Sequence, residues 1–589
     1  MKFNKQIIML LALAGSLDAF SYDFSKGGIY YDVVSEENLT VEVSSNGNNT
    51  YRGNLSIKGT VDYDNKSYTV VGIGKSAFSG SENLTSVKLP STVTYIADRG
   101  FFRCKSLAEV EIPQYVTSLG ESAFDGCTSL ASLTLPEGVA SAGLRAFADC
   151  TALKSAILPQ SLKSVPNSMF YGCTALESVV IPEGVGSIGN QTFQGCKSLT
   201  QVVFPSSVAL IGESAFSGCV ALRAVSLPEG LKTVSPNLFY QCSGLEDVSI
   251  PSTVTELGQQ AFTGCTSLKS IAIPQGVTEI PGLMFSSCES LAEVTLGDVE
   301  TIGEMAFYEC KSLDEIALPE TLKTIGVLAF SKTSIKALTL PSSLEKIDAR
   351  AFEDCNNIAS IVVEPSTEAL VFGWTDSYAG GEVRFDRCPL VSIVLGRDIS
   401  YREGSTPTSY SPFRGPCDTL KDVVVGDDVT DAALLCLNDK WHLERVVFGT
   451  GLASVPAMNK CDDLKTIELK SSMPQEALEF TDAQYASVML YVPAGSRQAY
   501  VEAPVWGKFA HIVEKDMSLA PSLDADGVSV DSANGSLRVS GADGQPVAVY
   551  SATTGQNFYM TGAYDGASIS LAPGVYIVKV ADKVIKVTL

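Results

Sequence analysis

The sequence predicts a repeat solenoid, with parallel strands stacked coil upon coil, short helical turns between them, and a small antiparallel β-sandwich at the C-terminal end. Three observations predict it. Phe stands at 78, 101, 124, 147, 170, 193, 216, 239, 262, 285, 307, 330 and 352, nine intervals of 23 residues followed by 22, 23 and 22. Cys follows three residues behind at 104, 127, 150, 173, 196, 219, 242, 265, 288, 310 and 355, with Ser81 and Thr333 in its place twice. Behind that comes Leu or Ile, then alternating apolar and polar residues that usually end in Pro. Self-similarity at this period means units that bury their apolar side only against their neighbours.

The chain of 589 residues begins "MKFNKQIIMLLALAGSLDAFSYDF". Lys2 and Lys5 precede the apolar run Ile7–Ala14, too short to span a bilayer, and Ala19 and Ser21 supply small residues for cleavage after 21. Residues 1–21 are therefore expected to be a signal peptide, and no Cys follows the run to carry a lipid. Residues 22–70 alternate apolar and polar with turn signals at Asn46-Gly47 and Asp64-Asn65, the pattern of a β-hairpin cap over the open edge of the first coil.

The array is expected over 71–470, as about 17 units that lose regularity after 352. "FDRCPLVSIVL" at 385–395 keeps the Phe-to-Cys step after an insertion of ten residues, and "FRGPCDTLKDVVV", "LNDKWHLERVVF" and "MNKCDDLKTIEL" carry it in worn form. Within a unit, "L-x-x-L-x-L-P" has the period of two of a strand. The stretch "V-x-x-I-G-x-x-A-F" reads as a turn, a short extended segment and about one helical turn. Residues 471–515 then close the last coil, with Trp506 and Phe509 on one short helix. Residues 516–526 read as a linker that includes an Asp-rich turn. Residues 527–589 give about six short strands between Gly-, Asp- and Asn-rich turns, the pattern of a sandwich.

The unit "L-x-x-L-x-L-P-x-x-L-x-x-I-G-x-x-A-F-x-x-C-x-x" resembles the BspA-like (treponemal-type) leucine-rich repeat. The resemblance implies a leucine-rich-repeat arc on a bacterial surface protein, and family members are implicated in adhesion to host matrix proteins and to other bacteria. The tail, through "VAVYSATTGQ" (547–556), "LAPGVYIVKV" (571–580) and "KVIKVTL" (583–589), resembles the type IX secretion sorting domain. That implies passage to the cell surface, and an immunoglobulin-like module that stays in place is the rival reading.

Composition excludes whole classes. The formal charge is −24, from 42 basic and 66 acidic residues, so nothing is available to neutralise nucleic-acid phosphates or hold an anionic lipid surface. Fifteen Cys in an exported chain invite disulfides. Repeat thiols on parallel coils point the same way, however, which suits small buried hydrophobes better than a ladder of bridges.

No cofactor, metal or catalytic residue is expected. The only two His are His442 and His511, and there is no C-x-x-C, H-E-x-x-H or G-x-S-x-G. A thiol-dependent hydrolase would have to be built on Cys436 and His442, both of which read as residues of a worn repeat. The remaining readings are a scaffold that binds a protein or glycan on a host or bacterial surface, with no membrane insertion, and a structural component that binds copies of itself. The protein itself is expected to be a monomer.

Outward strand positions lie eight and ten residues after each Phe. Most carry small or hydroxylated residues, but three consecutive units place Ile157, Val180 and Val203 there, flanked by Ser155, Ser178 and Gln201. Exposed together they would form one apolar stripe, the expected partner-binding site.

Overall fold

The computed structural model describes residues 22–515, apart from 46, 48–50, 375–384, 386, 402–410 and 416, and beyond 515 the strands between 529 and 588. The expected signal peptide (1–21) and linker (516–526) lie outside the described residues. The chain is a parallel-strand solenoid of about 18 turns with little helix. It divides into two compact units, one comprising residues 1–319 and 328–333, the other 320–327 and 334–589.

In the first unit most regular coils contribute two strand segments. One series contains Ser132–Thr134, Ser155–Ile157 and Ser178–Val180, paired in parallel with 23-residue register. The other contains Ser164–Val165, Ser187–Ile188 and Leu210–Ile211, also parallel. The short second segment is the sequence's "I-G" step, and its glycine is there because adjacent backbones approach closely. A Cβ on Gly189 would stand 2.5 Å from Asn167 N and 2.8 Å from Asn167 Cα. Gly189→Ala should therefore cost about 1–3 kcal/mol through overpacking, read as a shift of the denaturant midpoint at unchanged slope.

The segment that reads as a helical turn is a run of linked tight turns. Asp125 N, Cys127 N and Leu130 N donate to Ser122 O, Phe124 O and Cys127 O at 3.2, 3.1 and 3.0 Å. Between these, Ser122 N, Phe124 N and Gly126 N each donate at 2.8 Å to Leu144 O, Ala146 O and Ala148 O of the next coil. A helix would spend those N–H groups within the coil. Here alternate ones tie each coil to its successor, and left-handed residues such as Ser122 (φ 52°) and Gly126 (φ 77°) turn the chain between them.

The core runs along this stack. Phe rings from 78 to 330 are fully buried and pack face to face, with successive centroids 4.9 to 6.0 Å apart. Tyr51 ends the row edge-on, 4.8 Å from Phe78. Each thiol from Cys104 to Cys310 donates to the carbonyl of the preceding coil's Phe at 3.1–3.3 Å, for example Cys196 to Phe170 O at 3.2 Å. Cys therefore does more than fill a narrow corner, because its S–H links neighbouring coils. These ten thiols are free and unbridged.

Ahead of the first regular coil, Phe24–Lys26, Ile29–Ser35 and Thr40–Ser44 form an antiparallel meander, and Thr60–Tyr63 and Lys66–Ile73 a hairpin. The hairpin turns through Asp64 and Asn65, both left-handed (φ 49° and 58°), as a two-residue primed turn requires. Lys66–Ile73 then pairs in parallel with Thr40–Ser44 and with Tyr95–Ile96, so that strand converts hairpin pairing into solenoid pairing.

In the second unit the sheet is continuous. Ala337–Leu340, Ser360–Val363, Ser392–Leu395, Asp422–Val425, Arg445–Phe448 and Thr466–Leu469 pair in parallel, and Met489–Pro493 and His511–Lys515 extend the same ladder. Residues 489–515 thus continue the solenoid's ladder. Helices Asp482–Ser487 and Arg497–Glu502 lie in these last coils. Trp506 is buried in the single turn Trp506–Lys508, and its Nε1 donates to Gln475 O at 2.7 Å. Phe509 is buried beside it. Beyond, strands from Ser529–Ala533 to Lys583–Thr588 pair antiparallel in a three-stranded and a four-stranded group.

Candidate binding surface

Strand alternation positions the expected stripe. In the paired strands Ser155–Ile157 and Ser178–Val180, the central residues Ala156 and Val179 point into the core, as does Val202 one coil on. Their neighbours must then face outward, and Ile157, Val180 and Val203 are 52%, 58% and 74% exposed. Ser155, Ser178 and Gln201 are exposed alongside them. Ile157 sits directly across from Val180, and Ser155 from Ser178. Residues 201–203 keep the register without forming a strand of their own, so the ladder that begins at Ser132–Thr134 stops just before the third member.

The patch carries no charge. From Ser132 to Ser226 the ten outward positions of five coils hold no Asp, Glu, Lys or Arg, in a chain of formal charge −24. The three positions thus present branched apolar side chains on an outward, uncharged face.

A family description, the BspA-type leucine-rich repeat region, matches residues 71–200, 186–298 and 290–371, together slightly more than half of the sequence. The chain belongs to the BspA-type leucine-rich-repeat family. No curated protein matches it. Among solved structures, this BspA-type protein is similar to a leucine-rich repeat protein from Bacteroides ovatus, at 26% identity over 68% of this chain and 94% of that one, TM-score 0.47. It is also similar to a leucine-rich cell surface protein from Faecalibacterium prausnitzii (21%, 65% and 95%, TM-score 0.39) and to the pneumococcal vaccine antigen PcpA (16%, 84% and 98%, TM-score 0.33).

The fold of this BspA-type protein is a leucine-rich-repeat solenoid, the type of scaffold on which protein interactions are built. Among the described residues, no group of three or more His, Cys, Asp and Glu could hold a metal ion. No described helix is long and apolar enough to cross a membrane. Cys436 is a left-handed link (φ 49°) between two single-turn helices. The nearby His442 meets Asp463 through Nδ1 at 2.7 Å with both side chains half exposed, and that hydrogen bond raises its pKa. His511 is exposed at the start of the last solenoid strand.

One cluster escaped the sequence reading. Arg99, Phe102, Arg103 and Arg145 gather around an open cavity on the turn side of the first unit. Its signal was present as departures from the repeat at fixed offsets from Phe.

Proposed function

We propose that this protein is an exported, cell-surface adhesin that holds a protein or glycan partner from a host matrix or a bacterial surface through its outward sheet face. The observation that carries the reading is the stripe of Ile157, Val180 and Val203, exposed in register on an uncharged face. Contact there would need no cofactor. Adhesion would draw its strength from apolar area removed from water, concentrated in a few residues. The family supports surface exposure, and the tail's resemblance to a sorting domain supports delivery to the cell surface.

The test is retention of the mature chain on immobilised matrix proteins, mucins and bacterial surface extracts, beside Ile157→Asp, Val180→Asp and Val203→Asp combined. All three positions are exposed, so the variant should keep its circular dichroism and its melting temperature. A retained partner should be lost by at least about tenfold in affinity, since three central contacts become charged. Equal retention of both proteins would remove the stripe from the reading. Concentration-dependent growth in light scattering, abolished in the variant, would instead favour the self-associating surface component.

A further inference from the structure

On the turn side of the first unit the residues beside the buried Phe vary from coil to coil, and arginines gather in the coils of Phe101 and Phe147. Two residues before the buried Phe the chain carries Ser76, Ser122, Ser168 and Ser214, but Arg99 and Arg145 in the coils on either side of Ser122. Two residues after it the common residue is Gly, as at 80, 126, 172, 195 and 218, but Arg103 and Asp149 stand on either side of Gly126. All four departures are left-handed, with φ from 54° to 57°. The serines at the first position are left-handed too, φ 52° at Ser122 and 55° at Ser168, so this conformation belongs to the repeat and the departures change only the side chain.

The result is a gap. The middle coil offers only small side chains at these two positions, between coils that carry long ones, and a cavity of about 520 Å³ opens there. Gly126 forms part of its floor, where an added Cβ would press on Arg103 Cγ at 3.1 Å. On one wall the guanidinium carbons of Arg99 and Arg103 lie 5.6 and 4.9 Å from the centre of the same ring, Phe102. On the other, Arg145 lies 5.2 Å from the Tyr171 ring centre and donates to Asp125 and Asp149 at 2.8 and 3.0 Å.

The two walls differ in what they have left to offer. Arg145 is neutralised by its two carboxylates. Elsewhere on this side cations are likewise paired, Lys105 with Glu82 and Lys332 with Glu309, each at 2.7 Å. Among the described residues no carboxylate lies within ion-pair distance of Arg99 or Arg103. An aromatic face covers one side of a guanidinium and leaves its N–H edge to donate, the edge that matches a planar anion bidentately. Glu121 and Asp149 also line the cavity, and their carboxylate oxygens can accept from hydroxyl groups.

The geometry points to a binding site for an acidic saccharide, its carboxylate or sulfate held by Arg99 and Arg103 and its hydroxyls donating to Glu121 and Asp149. An acidic peptide fits less well, because its acidic side chains bring no hydroxyls to donate to those same carboxylates. This site stands apart from the sheet-face stripe, and either can fail without the other.

The experiment is calorimetric titration of the full chain with four probes: hexagalacturonate, a sulfated hexasaccharide, uncharged maltohexaose and hexaglutamate. Binding of one or both acidic sugars is expected, and which of the two binds identifies the anion. Arg99→Ser with Arg103→Gly restores the common repeat residues, so it should fold at least as well. It should weaken binding by about 10- to 100-fold, the loss of charge-assisted hydrogen bonds. Arg350→Ser, at the same repeat position in the second unit, should leave binding unchanged. No heat with either acidic sugar, equal affinity for maltohexaose, tighter binding of hexaglutamate, or full affinity in the double variant would each overturn the assignment.

Discussion

Between pH 8 and pH 10 the first unit is expected to lose its stability steeply. Burial pushes the thiols of its ten repeat cysteines up, Cys104, Cys173, Cys242 and Cys288 to about 12 and the other six also well above the usual value. In the unfolded chain a thiol ionises near its ordinary pKa of about 8.5. Below that pH both states keep the proton and nothing changes. Above it the unfolded state releases protons that the folded state retains, so stability falls as pH rises and continues to fall until the folded pKa is reached. Each thiol then withdraws about 1.4 kcal/mol per pH unit, and ten together on the order of 10 kcal/mol, comparable to the whole stability of a domain. Denaturant midpoints measured at half-unit pH steps would show this. Cys196→Ala with Cys219→Ala should flatten the slope by about a fifth, because two of the ten protons are removed. A midpoint independent of pH up to 10 would contradict the burial of these thiols.

Phe193→Ala is expected to destabilise the first unit by about 3–5 kcal/mol, the cost of a large buried aromatic replaced by a methyl group. Phe193 is fully buried, with ring neighbours Phe170 at 5.6 Å and Phe216 at 5.2 Å. Its removal opens a hole between two rings whose own neighbours fix them in place, so little collapse can fill it. In a stack where each coil contacts only its neighbours, that loss falls on two interfaces at once. Hydrogen exchange should therefore show protection falling first in the coils that hold Phe170 and Phe216, with more distant coils affected less. Uniform loss across the unit would mean a core more cooperative than nearest-neighbour stacking allows.

These residues also show why so much of the fold could be read from the sequence. Phe and Cys recur because each coil must present the same atoms to the coils on either side, and such a constraint writes itself directly as spacing. Ile157, Val180 and Val203 were legible for the related reason that strand alternation is a period of two. Other features left no such trace. The linked turns read as helix, because hydrogen bonds to a neighbouring coil have no local signature, and the thiol-to-carbonyl bond looks in sequence like any small buried residue. Met489–Pro493 and His511–Lys515 lost the Phe and Cys marks while keeping the pairing, since backbone ladders do not depend on side-chain identity. The arginine cavity was missed because a search for the repeat treats departures from it as noise, and Arg99 and Arg103 matter only as departures.

The left-handed positions beside each buried Phe carry a consequence for how this surface can change over time. Gly126, Arg103 and Asp149 occupy equivalent places in adjacent coils with φ of 77°, 55° and 54°, and the core beneath them is the same. A single-base change converts a glycine codon into one for arginine or for aspartate. Successive copies of one coil can thus diverge in the chemistry they show to the outside while inheriting an unaltered interior. Duplication supplies the scaffold, and point mutation at two addresses per coil writes on it.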